Sequence, residues 1–189
     1  MNENELINGL RHKDEDSFRW LVECYRNRVF GTILNIVQNK NDAEDAAQEV
    51  FVQVYESIGE FKGESSLSTW LYKIAVRKAI DKLRRRKTRQ RLNQFFPGLL
   101  HDEGRETHYE FHHPGIALEN KEKARVLFKA ISSLPEKQRL AFTLIKVQGM
   151  SYDEAGLILQ QSIKAMESLI SRAKVNLQKR LEKFYRATK

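Results

Sequence analysis

Residues Phe61–Lys87 read FKGESSLSTWLYKIAVRKAIDKLRRRK and carry the most informative pattern of the chain. They begin as a polar loop rich in glycine and serine and continue as an amphipathic helix that carries Trp70 and Tyr72. The helix ends in a dense run of arginine and lysine. Aromatic and polar loop side chains beside a basic helix are typical of surfaces that hold exposed bases and bind phosphates. This stretch therefore predicts a nucleic-acid ligand.

The whole chain has 189 residues and a formal net charge of +8, and 41% of its residues are hydrophobic. This length allows one domain or two small ones, and the apolar share suffices for a buried core. The positive charge favours a polyanionic partner, of which nucleic acid is the first candidate. A basic protein without a nucleic-acid partner is the alternative that composition alone leaves open.

Cys24 is the only cysteine, which excludes an intrachain disulfide and a cysteine-rich zinc site. Its neighbours Leu21, Val22 and Tyr25 predict that it packs in the core. No apolar run is long enough to span a bilayer, and the N-terminal segment MNENELINGLRHKDED lacks the pattern of a signal peptide. The sequence therefore predicts a cytoplasmic protein.

The spacing of the apolar residues predicts an all-α protein. A first helix follows a cap at Asp16 or Ser17, a second is capped by Asp42, and a third begins at Ser68. Three amphipathic helices of this length can bury a shared core. The first half of the chain is therefore predicted to be a helical domain.

Residues 91–120 lack this periodicity and mix glycine, proline, histidine and acidic residues. A stretch of this length without regular structure is unusual inside one domain, so we interpret it as a flexible linker. It separates a helical domain of residues 15–90, preceded by an N-terminal tail of residues 1–14, from a second helical domain of residues 121–187.

The second domain ends in a pattern typical of a helix-turn-helix motif. Ser151 and Glu154 match the S-x-x-E pattern of a capping box, a short helix follows, and Ser162 can cap a longer basic helix. With its apolar side on the core, this last helix presents an outward face that suits phosphates and base edges in a major groove. A merely solvated face is the alternative. The outward residues are Lys164, Ser168, Ser171, Arg172 and Val175.

An acidic cluster on the polar side of the second helix is open to three interpretations. Its carboxylates can hold a divalent cation, complement the helix dipole, or dock a basic protein partner. No second acidic cluster has comparable spacing, and the linker histidines show no ordered pattern. We therefore predict no metal, no cofactor and no catalytic residue. The polar side of this helix carries Asp42, Glu44, Asp45, Gln48 and Glu49, of which Asp42, Asp45, Gln48 and Glu49 are called the acidic cluster below.

Two blocks of sequence resemble the extracytoplasmic-function (ECF, group four) sigma factors of bacterial RNA polymerase. Region two of these proteins is similar to three segments of the chain: DAEDAAQEVFVQVY (Asp42–Tyr55), F-x-G-x-S-x-x-S-T-W-L-Y-K-I-A (Phe61–Ala75) and D-x-L-R-R (Asp81–Arg85). Region four is similar to two further segments: LPEKQRLAFTLIKVQGMSYDEA (Leu134–Ala155) and S-x-x-x-x-x-S-x-x-S-R-A-K (Ser162–Lys174). Both blocks stand in the order found in the family, and they leave out little more than the predicted tail and linker.

The resemblance implies an initiation factor, not an enzyme, that binds core RNA polymerase and directs promoter recognition and melting. It implies that the acidic cluster binds the core polymerase and that the outward face of the last helix reads the minus-thirty-five element. The loop before the third helix would capture a flipped base of the melted minus-ten element, and that helix would bind the strands. The residues that match these minus-ten roles are Phe61, Lys62, Gly63, Glu64, Ser65, Ser66, Leu67, Trp70, Tyr72, Lys73, Arg77 and Lys78. An anti-sigma factor is a common partner in the family, and nothing in the sequence identifies one.

Some positions depart from the family pattern. Many members carry asparagine where Arg77 stands, threonine at Ala165, and basic residues at Glu167 and Leu169. Glu167 can repel phosphate or accept a hydrogen bond from a cytosine amino group, so the promoter sequence does not carry over from other members. Two alternatives are a stand-alone two-domain regulator and a metal-dependent helical hydrolase. The first gives no reason for a base-capturing loop, and the second should show facing acidic helices.

Overall fold

A computed structural model describes residues 2–95 and 121–187. All regular structure within these two ranges is helical, which confirms the predicted all-α class. The two ranges belong to two compact units, called unit 1 and unit 2 below. Within them, no helix is both long and apolar enough to cross a membrane.

Unit 1 is built from the helices α1 (Glu3–Arg11), α2 (Glu15–Val37), α3 (Lys40–Ser57) and α4 (Leu67–Phe95). A 3-10 turn over Ile58–Glu60 follows α3. Helices α2, α3 and α4 each pack against the other two, and α1 packs against α2 and the 3-10 turn. The shared core that the apolar spacing predicts is therefore present. Its fully buried members include Leu21, Ile33, Val50, Val54, Leu71 and Ala75.

The caps of α2 and α3 lie two or three residues before the predicted ones. Asp14 Oδ2 accepts from the backbone N–H of Ser17 at 2.8 Å, and Asn39 Oδ1 accepts from the N–H of Asp42 at 2.9 Å. The predicted cap residues Asp16, Ser17 and Asp42 thus lie in the first helical turn, where an acid complements the helix dipole. The hydroxyl and the N–H of Ser17 both lower the pKa of the Asp14 carboxyl by hydrogen bonding to it.

A helix stands where the sequence predicts an N-terminal tail of residues 1–14. Asn2 and Glu5 form a reciprocal capping box with hydrogen bonds of 2.8 and 2.9 Å. Leu6 and Leu10, one turn apart, are only 2% and 1% exposed. A helix of nine residues offers too few repeats for its apolar period to stand out, and helices this short depend on tertiary packing. The first residues therefore belong to unit 1.

Gly9 marks a close approach between α1 and the start of α2. A Cβ atom added at Gly9 would lie 2.1 Å from Ser17 Oγ and 2.9 Å from Ser17 Cβ. The N–H of Asp14 donates to the carbonyl of Gly9 at 3.0 Å, which closes the turn between the two helices. The contact leaves room only for a residue without a side chain.

Cys24 is exposed on α2, so the prediction that it packs in the core is wrong. The buried stripe of this part of α2 advances in steps of four residues through Ser17, Leu21 and the half-buried Tyr25. Because each residue turns the helix by about 100°, position 24 falls beside this stripe. Apolar neighbours in sequence were therefore a poor guide to its burial.

Unit 2 contains α5 (Lys121–Ser132), α6 (Glu136–Phe142), α7 (Tyr152–Leu159) and α8 (Ile163–Ala187). Helix α6 continues into a π-helical segment, Thr143–Val147. Helix α8 packs against each of the other three helices. Its buried side is the one that the apolar spacing predicts: Met166, Ile170, Ala173 and Leu177.

Helices α7 and α8 form the predicted helix-turn-helix. Ser151 Oγ accepts from the N–H of Glu154 at 3.1 Å, and Glu154 Oε2 accepts from the N–H of Ser151 at 2.9 Å, which confirms the capping box. Gln160 ends α7 in a left-handed conformation with φ of 54°. Ser162 Oγ then accepts from the N–H of Ala165 at 3.3 Å and caps α8 as predicted.

Gly156 lets the turn between these helices close tightly. Its carbonyl accepts from the N–H of Gln161 at 2.9 Å. A Cβ atom on Gly156 would lie 2.8 Å from the carbonyl oxygen of Gln161, a backbone atom that cannot rotate away. Any larger residue here must push α7 away from the turn that orients α8.

Candidate functional site

The loop Phe61–Leu67, between the 3-10 turn and α4, exposes its tip and buries both ends. Phe61 and Leu67 at the two ends are only 4% and 1% exposed. Gly63 has a φ of +75°, a left-handed conformation that favours glycine, and it turns the chain at the tip. The residues that can reach a ligand are therefore those of the tip. They are Lys62, Gly63 and Glu64, which are exposed, and Ser65 and Ser66, which are half-buried.

Three of the predicted minus-ten residues are core residues, which corrects the expectation that each of them meets DNA directly. Besides Phe61 and Leu67, Tyr72 is 1% exposed. The ring of Phe61 packs against that of Trp70, with 5.3 Å between the centroids. In this conformation the three buried side chains support the loop from inside the unit, and they present no surface to a base.

Tyr72 is a core tyrosine with a cation nearby. Its burial raises the pKa of the phenol above the ordinary value, while the guanidinium of Arg28 acts in the opposite direction. The central carbon of that guanidinium lies 5.8 Å from the centroid of the Tyr72 ring. Sequence reasoning could not separate this tyrosine from Trp70 two residues earlier, because aromatic residues suit a core and a stacking surface equally well.

Ser66 joins the loop to the first turn of α4. Its Oγ accepts from the N–H of Thr69 at 3.2 Å and lies 2.8 Å from Thr69 Oγ1. It also lies 3.0 Å from Ser68 Oγ. A serine that satisfies an N–H of the first helical turn is a typical N-cap. This hydroxyl therefore shapes the junction between the loop and the helix.

A row of side chains on α4 follows the loop tip in the sequence. Trp70 is half-buried, and Lys73 and Arg77 are exposed. Their three- and four-residue spacing places them on one face of the helix. A flat ring followed by two cations can support a base and hold the phosphates beside it. The structure thus brings together the exposed part of the predicted minus-ten set.

Lys78, the last predicted minus-ten residue, points to the acidic cluster on α3. Its Nζ lies 3.2 Å from Glu49 Oε2. Lys82, which belongs to the basic run of α4 but not to the predicted minus-ten residues, has its Nζ 3.4 Å from Asp45 Oδ2 and 3.6 Å from Glu49 Oε1. The two lysines are four residues apart, as are the two acids, so a basic row faces an acidic row. The matching four-residue spacing is the signal in the sequence that could have identified Lys82 as a partner of the acidic cluster.

The acidic cluster still presents oxygen atoms to solvent. The side chain of Asp45 is 65% exposed and that of Glu49 is 43% exposed. Gln48 is exposed as well, and Asp42 is half-buried in the first turn of α3. A groove beside the cluster contains Val52, which is 56% exposed. An apolar side chain flanked by carboxylates suits the surface of a basic protein partner.

The surroundings of the acidic cluster do not resemble a metal centre. Asp45 and Glu49 face lysines on α4, whereas a helical hydrolase would place a second acidic helix there. Within residues 2–95 and 121–187, no three His, Cys, Asp or Glu side chains come together as a metal-binding group. The linker histidines fall outside the described residues.

The four predicted minus-thirty-five residues share an exposed face of α8. Arg172 Nη2 donates to Ser168 Oγ at 2.8 Å, and its Nε donates to the carbonyl of Ser168 at 3.3 Å. The guanidinium is thereby held along the helix. Glu167 is exposed beside Ser168 and adds a negative charge to an otherwise basic face. Lys164 and Ser171 complete the exposed set.

Comparison with known proteins matches both units to one family. A family model described as Sigma-70 region 2 matches residues 21–89, and one described as Sigma-70, region 4 matches residues 124–177. The ECF RNA polymerase sigma-E factor of Haemophilus influenzae is 30% identical over 183 residues, which cover 96% of this chain and 96% of that protein. The RNA polymerase sigma-H factor of Pseudomonas aeruginosa is 29% identical over 191 residues, which cover 97% of this chain and 96% of that protein.

Two solved structures share the fold. CnrH, solved in complex with the cytosolic domain of CnrY, has a TM-score of 0.69 at 20% identity and covers 95% of this chain and 97% of its own. The sigma factor RpoE from Bartonella quintana, solved with the anti-sigma factor NepR, has a TM-score of 0.67 at 23% identity. That comparison covers 87% of this chain and 96% of RpoE.

Two helical units that match regions 2 and 4, in that order, define a DNA-binding transcription initiation factor of the sigma-70 type. Within this class, the similarity to the ECF sigma-E factor of H. influenzae over nearly the whole chain identifies the subgroup. The chain belongs to the ECF sigma factors of bacterial RNA polymerase.

Proposed function

We propose that unit 1 binds core RNA polymerase and the minus-ten element of a promoter, and that unit 2 reads the minus-thirty-five element. The observation that carries this proposal is the exposed loop tip together with the half-buried Trp70 and the exposed Lys73 and Arg77 on one face of α4. A loop tip followed at once by a cationic row suits one extruded base and its adjoining phosphates.

Core polymerase binds to the acidic cluster in this proposal. Asp45, Gln48 and Glu49 offer exposed oxygen atoms along little more than one turn of α3, and Asp42 extends the cluster by about one turn towards the start of the helix. Val52 in the adjoining groove adds an apolar contact. Opposite charge across the interface speeds association and sets its register.

In this proposal the loop tip supplies the specificity of minus-ten recognition, and the cations of α4 supply affinity. Lys62 and Glu64 at the loop tip supply a donor and an acceptor for the edge of an extruded base, with the hydroxyl of Ser65 beside them. Lys73 and Arg77 hold phosphates, a contact that carries little sequence information. The unpairing of a base costs a few kcal/mol, which contacts in the loop offset.

Minus-thirty-five recognition depends on Arg172 in this proposal. An arginine in the major groove binds the O6 and N7 atoms of guanine through two hydrogen bonds, and the hydrogen bond that Arg172 donates to Ser168 orients the guanidinium before DNA arrives. The small side chains of Ser168 and Ser171 let α8 lie deep in the groove. Lys164 near the start of the helix binds a phosphate.

We also propose that the chain has no catalytic activity of its own and acts in the cytoplasm with the polymerase. An anti-sigma partner is a further proposal. It is motivated by RpoE of B. quintana, which has this fold and was solved with NepR. Co-purification from the native host with a tagged copy of this chain tests for such a partner. Recovery of core polymerase alone under all growth conditions would count against it.

In vitro transcription with purified core polymerase tests the main proposal. We expect initiation from a promoter selected out of a randomised library only when both core and this chain are present. A stand-alone regulator would instead bind duplex promoter DNA tightly by itself and would not co-purify with core. That pair of results would reject the proposed function.

A further inference from the structure

Helix α1 contacts both ends of the loop Phe61–Leu67. Arg11 Nη2 donates to the carbonyl oxygen of Phe61 at 2.7 Å. Glu3 Oε1 accepts from the N–H of Leu67 at 2.6 Å. Both hydrogen bonds go to backbone atoms, so they constrain the path of the loop whatever its side chains are. The first and last residues of the loop are therefore held by one helix.

Lys13, just after α1, fixes the segment that leads towards the loop. Its ammonium group donates to the carbonyl oxygen of Tyr55 in the last turn of α3 and lies 4.1 Å from the centroid of the Tyr55 ring. The Tyr55 ring in turn packs edge-on against Phe18, with 5.1 Å between the centroids. A cation over an aromatic face is attracted to it. This contact adds a third anchor, ahead of the 3-10 turn.

The hydrogen bond that Glu3 accepts is also favoured by its place at the start of α4. The first N–H groups of a helix have no partner inside it, and they carry the positive end of the helix dipole. A carboxylate that accepts there forms a charge-assisted hydrogen bond, which is stronger than a neutral one. Glu3 thus caps α4 from a distant part of the sequence and fixes the point where the loop ends.

Helix α1 is itself held firmly enough to position other residues. Leu6 and Leu10 are buried, and the contact between Gly9 and Ser17 leaves no room for movement towards α2. The capping box at Asn2 holds the first turn, which carries Glu3. A binding loop is most precise when its ends rest on rigid elements.

We propose that α1 sets the conformation of the base-capturing loop, with Arg11 and Glu3 as positioning residues for minus-ten selectivity. This inference rests on the proposed function of the loop. In it, α1 acts through the ends of the loop, and neither residue needs to touch DNA. The tip residues Lys62–Glu64 then meet the extruded base in a geometry that is set before DNA binds.

The test measures base discrimination by the holoenzyme. Arg11→Ala and Glu3→Ala are assembled with core polymerase and assayed on promoters that carry each of the four bases at the captured minus-ten position. We expect the ratio of the initiation rates on the promoters with the best and the second-best base to fall by about threefold to tenfold. A change of that size corresponds to the net free energy of one hydrogen bond. Affinity for core and discrimination at the minus-thirty-five element stay unchanged.

Conservative and control variants separate positioning from folding. Glu3→Gln retains an acceptor oxygen and should recover most of the discrimination, as should Arg11→Lys, which retains a donor. Glu23→Ala and Arg26→Ala make the same charge changes at exposed positions on α2 and should leave the ratio unaltered. If an alanine variant lowers the Tm below the assay temperature, its conservative variant is compared with wild type at several temperatures.

Lys62→Ala and Glu64→Ala distinguish the two possible failures. If these loop variants leave minus-ten discrimination unchanged, the proposed role of the loop fails and the role of α1 fails with it. If they reduce discrimination while Arg11→Ala and Glu3→Ala do not, the loop keeps its role and only the positioning by α1 is overturned. An equal loss at both promoter elements would also overturn it, because that result indicates general misfolding.

Discussion

The Nζ atom of Lys78 lies 3.2 Å from Oε2 of Glu49, so a proposed promoter contact and a proposed polymerase contact are paired with each other. Both side chains are partly exposed, and exposed pairs of this kind contribute only about 0–1 kcal/mol to stability. A charge on polymerase or DNA can therefore replace either partner. Because Lys82 bridges Asp45 and Glu49 in the same way, we expect the two interfaces to be coupled.

Glu49→Gln tests this coupling. Removal of the carboxylate charge should release Lys78 and Lys82 towards phosphates, so that the chain without core binds DNA more tightly by about twofold to fivefold. Its affinity for core should fall in parallel. Fluorescence anisotropy with labelled DNA, measured with and without core, checks both effects. Unchanged DNA affinity would mean that the lysines are equally accessible in wild type.

Asp45→Arg tests the docking surface. The reversed charge meets the basic partner surface directly, so the affinity for core should fall by at least about tenfold, while the helical content and the Tm stay unchanged. Glu23→Arg, the same change at an exposed position on α2, is the matched control. Competition against a labelled reference sigma factor for core measures the affinity. Equal competition by both variants would reject the acidic cluster as the docking surface.

Arg172→Ala tests the recognition helix. Loss of a guanidinium that binds a base edge should reduce promoter-specific initiation by about 1–3 kcal/mol and relax selectivity at one base pair. Ser168→Ala removes only the hydroxyl that orients the guanidinium. This variant should reduce promoter-specific initiation and selectivity in the same way, but by less than Arg172→Ala. Lys174→Ala on the same helix is the control. A uniform loss on promoters that lack the minus-thirty-five element would argue against base recognition by Arg172.

Gly156→Ala and Gly31→Ala form a matched pair for the role of close packing. A Cβ atom at Gly156 meets the backbone of Gln161, so this change should destabilise unit 2 by about 1–3 kcal/mol. A Cβ atom at Gly31, inside α2, meets nothing within 4 Å, so that change should stabilise unit 1 by about 0.4–1 kcal/mol.

The two units can be followed separately in this experiment. The only tryptophans, Trp20 and Trp70, both lie in unit 1, so their fluorescence reports the unfolding of that unit alone. Hydrogen exchange of α7 and α8 reports unit 2. Gly156→Ala should accelerate exchange in unit 2 and leave the tryptophan transition in place. A shift of the tryptophan transition instead would contradict the assignment.

Tyr72→Phe tests the burial of the phenol. Burial raises the pKa of the Tyr72 phenol above its ordinary value of 10.0. The neutral phenol therefore makes its full contribution to the stability of the fold below that pH, and this contribution is lost as the pH rises above it. Wild type should therefore lose stability more steeply than Tyr72→Phe over the range of pH above 10.0. Urea unfolding over that range measures the difference. Parallel curves would indicate an exposed phenol, as direct contact with DNA would require.

The sequence predicted the elements whose pattern is local. The capping box of α7, the cap and the buried side of α8, and the exposed residues of the helix-turn-helix follow from spacing alone. The basic residues Lys73 and Arg77 on the exposed face of α4 were equally predictable, since they follow each other at helical spacing. These features required no knowledge of which helix packs against which.

The missed features all depend on contacts between distant residues. Tyr72 and Trp70 have similar chemistry, and only the packing of α4 buries one and leaves the other half-exposed. The ion pairs of Lys82 require the register between α3 and α4. The contacts of Arg11 and Glu3 span 50 and 64 residues, and no periodic pattern marks them. A short helix with two buried leucines was therefore mistaken for a tail.

The long span of these contacts has a consequence for synthesis. Helix α1 leaves the ribosome before α2, α3 and α4, and the backbone atoms that Arg11 and Glu3 bind are made 50 and 64 residues later. Non-local contacts of this kind form late, because the intervening chain must be ordered first. The buried face of α1 must therefore wait for α2, α3 and the start of α4. Slow translation between Arg11 and Leu67 would prolong the period in which Leu6 and Leu10 are available to chaperones or to aggregation.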